Sequence, residues 1–208
     1  MRAFFAFFIS LWATQAAAHP HVFVQTRLVL LPDAQGRAAT IEVHWAYDAL
    51  TSLMTLEDMG LDQDYDGVLS PGELARLQGF DLRWIAGFEG DLYLAHGGQA
   101  VQLDAPVAVE TRFENGQIIS VHRRAFAPVP AGTVLEIRAY DPTFYTEYTL
   151  AAAVQVPDGC RVQVNPADLG QANALLDKLL QESPDMADDA FPAVGHAFAD
   201  KVEVTCAQ

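Results

Sequence analysis

The sequence predicts a mainly β fold: a β-sandwich-like domain with an inserted EF-hand-like helix–loop–helix and one C-terminal helix. Three observations lead there. Short runs rich in β-branched and aromatic residues recur from His21 to Cys206, separated by Gly-, Pro- and Asn-containing turns. Between the second and third runs lies an Asp-rich stretch of twelve residues with apolar segments on both sides. Near the end Leu169, Ala172, Leu175, Leu176 and Leu179 fall at helical spacing.

Met1–Ala18 precedes all of this. Arg2 is its one basic residue, an apolar run covers Ala3–Ala13, and Ala16-Ala17-Ala18 is an Ala-x-Ala cleavage site. The run is too short for a membrane span, which needs about 20 apolar residues. The expected product is a single exported domain, residues 19–208, located in the periplasm and not inserted in the membrane after cleavage.

Strands are expected at about His21–Leu31, Ala39–Tyr47, Asp91–Ala95, Ala100–Leu103, Val107–Phe113, Gln117–Phe126, Thr133–Ala139 and Tyr145–Val156. Cys160–Val164 and Val202–Cys206 complete the set. Asn115-Gly116 between two runs is a hairpin signal, and Gly97-Gly98 and Pro32–Gly36 read as further turns. Gln181–Pro192, acidic and Pro-flanked, reads as a surface loop.

The insertion covers about residues 49–88. Its centre, Asp62–Glu73, has the spacing of an EF-hand calcium loop: acids at positions 1, 3 and 5, Gly67 at 6, Ser70 at 9 and Glu73 at 12. Ca²⁺ takes six to eight oxygens. Asp62, Asp64 and Asp66 would give one each, Val68 its carbonyl, Ser70 a direct or water-mediated contact, and Glu73 two. Ser70 also reads as a helix N-cap, with Pro71 at the first helical position and Glu73 closing a capping box. Leu50, Leu53, Met54 and Met59 suggest the preceding helix. Leu74, Leu77, Leu82, Trp84 and Ile85 suggest the following one, with Gly79 as a breaking point. Since sensor hands come in pairs and the chain has one such loop, the expected role of calcium is structural.

Cleavage would leave His19-Pro20-His21 at the N-terminus. A free α-amine beside the His19 imidazole is a two-nitrogen chelate for a transition metal, and His21 adds a second imidazole. Pro20 has no N–H, which rules out the square-planar copper geometry that needs that amide deprotonated. If the first two strands pair so that opposed residue numbers sum to about 69, Asp48 faces His21 and becomes the third ligand. His44, four residues along from Asp48, is then roughly 13 Å away. His44 and His122 read as partly exposed strand histidines, His96 as a turn residue, and Arg123-Arg124 as a solvated strand position.

Without Arg2 the chain has 11 basic residues against 27 acidic, a formal charge of −16. That acidity argues against nucleic acid and anionic lipid as partners. Cys160 and Cys206 suit one disulfide in an oxidising compartment and are too far apart for a zinc knuckle or a redox Cys-x-x-Cys.

The start His19-Pro20-His21-Val22-Phe23-Val24, the Trp45-x-Tyr47-Asp48 segment, the Asp62–Glu73 loop and the closing Phe198-Ala199-x-x-Val202-x-Val204-x-Cys206 resemble a family of bacterial periplasmic proteins long labelled as of unknown function. Its members occur beside, or fused to, NicO-type nickel/cobalt permeases, and some are similar to the ZevA-like periplasmic half of a zinc-uptake pair. The resemblance implies a non-enzymatic metal-binding accessory of a zinc or nickel permease, with His19 and His21 among the ligands. The long His-rich tract common in metal-buffering proteins is missing here. Two other readings stay open: a calcium-stabilised interaction module without transition-metal function, and a copper oxidase with a histidine brace. The oxidase would need an axial tyrosine or phenylalanine and a second brace histidine, for which His122 is a candidate. No Ser/His/Asp elbow, His-Glu-x-x-His or phosphate-binding loop points to other chemistry.

Overall fold

The computed structural model describes residues 20–182 and 191–207. The expected leader, His19 and most of the expected acidic loop lie outside the described residues. In chain order the elements are β1 (Val22–Pro32), β2 (Ala38–Tyr47), α1 (Ala49–Met59), α2 (Pro71–Leu77), β3 (Leu92–His96), β4 (Gln99–Val101) and β5 (Val107–Glu114). There follow β6 (Gln117–Ala125), β7 (Val134–Ala139), β8 (Thr146–Leu150), β9 (Cys160–Asn165), α3 (Leu169–Glu182), α4 (Gly195–Phe198) and β10 (Lys201–Cys206).

Alternating side chains turn these strands into two five-stranded sheets, β5-β6-β2-β1-β8 and β4-β3-β7-β10-β9. One apolar core joins them. Val24, Leu28, Leu30, Ile41, Val43 and Trp45 come from the first sheet, and Leu92, Leu94, Leu135, Ile137, Val202 and Val204 from the second. Each such side chain, taken fully out of water, contributes roughly 1.5–3 kcal/mol relative to exposure. All pairings are antiparallel except β1 with β8.

The expected hairpins form. Asn115 and Gly116 have φ of 54° and 78°, and Gly97 and Gly98 have 57° and 78°. Positive φ at both central residues is what a two-residue turn needs to match strand twist.

Several expectations are corrected. β1 and β2 pair with residue numbers summing to 71, as in Thr26 opposite Trp45, two more than expected. The Asp33 carboxylate bonds the Gln35 and Arg37 amides to shape the turn, and the register shifts between Leu31 and Pro32. The eighth strand is shorter than Tyr145–Val156, and beyond Leu150 only an isolated bridge joins Val29 to Gln155. α2 stops at Leu77, with Gln78 as C-cap just before Gly79, so Leu82, Trp84 and Ile85 are not helical. α3 runs to Glu182, into the segment expected to be loop.

The largest correction concerns β6. His122 is 0% exposed and Arg124 3%, so neither is a surface residue. Pairing explains it: Arg124, His122 and Ser120 lie opposite Ile41, Val43 and Trp45, on the core-facing side of β2. Arg124 is accommodated because its guanidinium donates to the carbonyls of Asp104, Glu89 and Leu103 and lies 4.9 Å from the Trp84 ring.

α1 and α2 pack onto the first sheet through a separate cluster of Leu56, Leu61, Leu69, Leu77 and Ile118. α3 and α4 close over Phe144 and Val194. Gly195 allows that approach, since a Cβ there would lie 1.7 Å from the Asp141 carbonyl oxygen.

Candidate functional site

Asp48 caps α1 and Gly60, at φ 59°, ends it. Ten residues later Ser70 starts α2: its hydroxyl accepts from the Glu73 amide, while Glu73 Oε2 accepts from the Ser70 amide and hydroxyl at 2.9 and 2.7 Å. That is the capping box expected from the sequence, with Pro71 in the first turn. The connecting loop is held by its own acids. Asp62 Oδ1 accepts from the Gly67 amide at 3.2 Å, and Asp66 Oδ1 from the Val68 amide at 2.8 Å. Gly67 turns the chain at φ 73°.

The result is a convergence of charge. One carboxylate oxygen from each of Asp62, Asp64 and Asp66 lies within 4.8 Å of the other two. Three anionic oxygens at that spacing suit a hard divalent cation. Glu73 is not one of these three. Its Oε1 accepts from the Asp62 amide at 2.9 Å, so it closes the loop from the helix side. The Ser70 hydroxyl bond, then the Ser70 and Asp62 amides, hold the Glu73 carboxyl below the usual carboxylate range. Glu73 is therefore charged at neutral pH. Val68 is exposed beside these acids, and Tyr65 donates to Glu57 Oε1 at 2.6 Å.

The N-terminal candidates are arranged differently. His21 is exposed, its ring 4.9 Å from that of Tyr145, and its amide donates to the Tyr145 carbonyl. The shifted register puts Asp48 next to Phe23 rather than His21. Its Oδ2 accepts from the Phe23 amide and Thr51 hydroxyl, and its Oδ1 from the Thr51 amide. Burial pushes the Asp48 carboxyl up, and these bonds outweigh it, so the group titrates below its ordinary value. Asp48 thus has a local structural role at the head of α1.

Among the other histidines, His44 Nε2 lies 2.8 Å from Glu42 Oε1, and Glu42 also pairs with Arg123 at 2.7 Å. His96 Nδ1 lies 3.1 Å from the Val134 carbonyl. His122 is held at about 4 by burial, with Arg124 and His44 adding to the effect.

Two acids unremarked in the sequence are also inside. Asp91 is 5% exposed, and burial raises its carboxyl to about 7; the Tyr148 bond opposes this and Asp141 adds to it. Asp81 accepts from Tyr47 at 2.9 Å and is raised by burial as well. Their hydrogen-bonding tyrosines lie on the core side of β2 and β8, and parity on those strands was the available signal.

The family model described as "Protein of unknown function (DUF1007)" matches residues 4–206. The chain belongs to that family. The match spans the two sheets, the acidic loop and both cysteines together. A comparison with curated proteins finds no match.

Proposed function

We propose that this family member is a periplasmic metal-binding accessory protein that hands zinc or nickel to an inner-membrane permease of the NicO type. In this reading the α1–loop–α2 unit is an EF-hand-like insertion in a β-sandwich-like domain, and Ca²⁺ is its structural ion. The convergence of the Asp62, Asp64 and Asp66 oxygens carries the calcium part. Glu73 joins the shell by exchanging its bonds to Asp62 and Ser70 for the ion, which supplies the bidentate ligand of position 12. The transition-metal part rests on an exposed His21 at the start of β1, one residue after Pro20, where signal cleavage would free the His19 amine. With Asp48 committed to α1, the metal takes its third ligand from another group or from the partner.

Isothermal calorimetry on the processed chain tests both parts. Ca²⁺ binds with a dissociation constant on the order of 10⁻⁴–10⁻³ M, the range of extracellular modules. Zn²⁺ or Ni²⁺ binds the processed chain more tightly than a Met-extended form, because extension removes the α-amine from the chelate. Equal affinity in both forms excludes the N-terminal site and leaves a calcium-stabilised interaction module.

A further inference from the structure

Several buried polar atoms between the two sheets have no hydrogen-bond partner among the described residues: Thr26 Oγ1, Trp45 Nε1, Asp81 Oδ1, Asp91 Oδ1 and both ring nitrogens of His122. Thr26, Trp45, His122 and Asp91 are each at least 95% buried. Native interiors seldom leave such atoms unpaired.

These atoms are neighbours. Thr26 is opposite Trp45 in the β1–β2 pair, and Trp45 is opposite Ser120, which lies near the Asp81 carboxyl. The Trp45 ring lies 4.8 Å from His122 and 5.6 Å from Tyr148. Tyr148 in turn donates to Asp91 Oδ2 at 2.8 Å. Their chemistry is mixed. Indole N–H only donates, a carboxylate oxygen only accepts, and threonine and neutral histidine do both. A metal ion serves the acceptors and leaves the indole unmatched. A guest that both donates and accepts within a small span serves all of them, and water is such a guest.

We propose that this interior is a water-binding site, in which ordered water molecules enclosed between the sheets bridge the Asp81 and Asp91 carboxyls to Trp45, Thr26 and His122. The site also joins the sheets. Asp91 immediately precedes β3 of the second sheet, and Tyr148 is on β8 of the first. Asp91 has a positive φ of 50°, a strained backbone for a residue with a side chain, and its carbonyl accepts from the Tyr140 amide.

Asp91 adds a proton to the site. The titratable groups around it are Tyr148 from β8, Tyr47 from β2, Tyr93 from β3, Asp141 and Tyr140 after β7, and Glu89 just upstream. Glu89's carbonyl accepts from the buried Arg124. The folded carboxyl titrates near 7, above its unfolded value. Its contribution to stability is therefore complete below the unfolded value and is lost as pH rises through 7.

Oxygen-17 relaxation dispersion on the full exported chain in calcium-free buffer, which counts long-lived internal waters, tests the site. The wild type holds such waters, and Thr26→Val or Trp45→Phe releases at least one while the far-ultraviolet dichroism is unchanged. An equal count in all three proteins overturns the proposal. Should the variants fail to fold, a high-resolution crystal structure of the wild type decides: solvent density within bonding distance of Trp45 Nε1 supports the site, and direct protein contact there without density overturns it. For the proton, Asp91→Asn is compared with the wild type in melting scans from pH 5 to 8. The variant gains on the wild type as pH rises, by on the order of 5–10 °C. A constant gap overturns the proton assignment.

Discussion

Glu73 has one role in the structure and a second in the proposed calcium site, and one substitution separates them. Its carboxylate ties α2 back to Asp62 and Ser70; in the proposed site it would give calcium two oxygens. Glu73→Gln keeps an acceptor for the cap and loses the charge. Calcium affinity should fall roughly tenfold or more, about 1.4 kcal/mol, while the ion-free protein loses no more than the value of a cap, about 1 kcal/mol. Calorimetry and ion-free urea melts measure the two, and equal losses in both would show Glu73 to be a cap alone. The capping box and the clustering of Asp62, Asp64 and Asp66 were legible because every residue involved is local in the chain. His122 was not. On β6 Ile118 and Ser120 alternate with Ile119 and Val121, so both faces carry apolar residues and parity cannot say which is inside. The partner strand decides it, and a charged Arg124 on the inner face argues for the wrong answer. The buried His122 titrates near 4, below its unfolded value of 6.5. Its contribution is therefore complete above 6.5 and lost as pH falls towards 4. Between pH 7 and pH 5 this amounts to about 2 kcal/mol. Urea melts of wild type and His122→Leu at both pH values measure it: the variant should lack that part of the slope, and an unchanged slope would show that His122 does not titrate as described.

Among the elements, the strands were legible because period-two alternation and turn residues are short-range signals. Register was not, since a five-residue turn held by Asp33 and a shift at Leu31/Pro32 moved the β1–β2 pairing by two. That shift decides whether Asp48 can meet His21. The cysteines show the reverse case, in which a distant pairing could be read because the chain has only two. Cys160 and Cys206 form a disulfide across directly opposed positions of β9 and β10, with Cα atoms 3.9 Å apart. The Ala207 amide bonds the Gly159 carbonyl, which makes this a non-hydrogen-bonded pair, the kind that brings opposed side chains closest. β9 is an edge strand that, among the described residues, pairs with β10 alone, so the bridge holds it on. With the cysteines 46 positions apart, the loop-entropy model gives about 4 kcal/mol. Cys160→Ser/Cys206→Ser should lower the stability from urea melts by up to that amount, and reductant should act on the wild type but not on the variant. A reductant effect of equal size in both would place it elsewhere.

At the scale of the molecule, the acidic loop is packed onto the first sheet through one apolar cluster. Leu61 and Leu69 flank the acids within the loop, and both pack with Leu56 of α1, Leu77 of α2 and Ile118 of β6. The Ser52 hydroxyl of α1 accepts from the Ile118 amide at 2.9 Å, and the Gln78 side chain accepts from the Thr111 amide of β5 at 2.9 Å. Opening the loop around its acids would therefore strip Ile118 and leave a sheet amide without its acceptor. An ion that binds only the folded loop stabilises by RT ln(1 + [L]/Kd), about 2.7 kcal/mol at a hundredfold excess over the dissociation constant. Because the loop's cluster and these hydrogen bonds tie it to β5 and β6, this gain should reach the whole fold. Calcium should raise the melting temperature by several degrees, on the order of 2–4 °C per kcal/mol at this size, with the near-ultraviolet signal of the core tryptophans and the far-ultraviolet signal moving as one transition. Chelator should lower that single transition without splitting it. A helical phase that melts early in chelator while Trp45 keeps its folded signal would mean that the loop and its helices are a separate unit, and calcium would then stabilise only that unit.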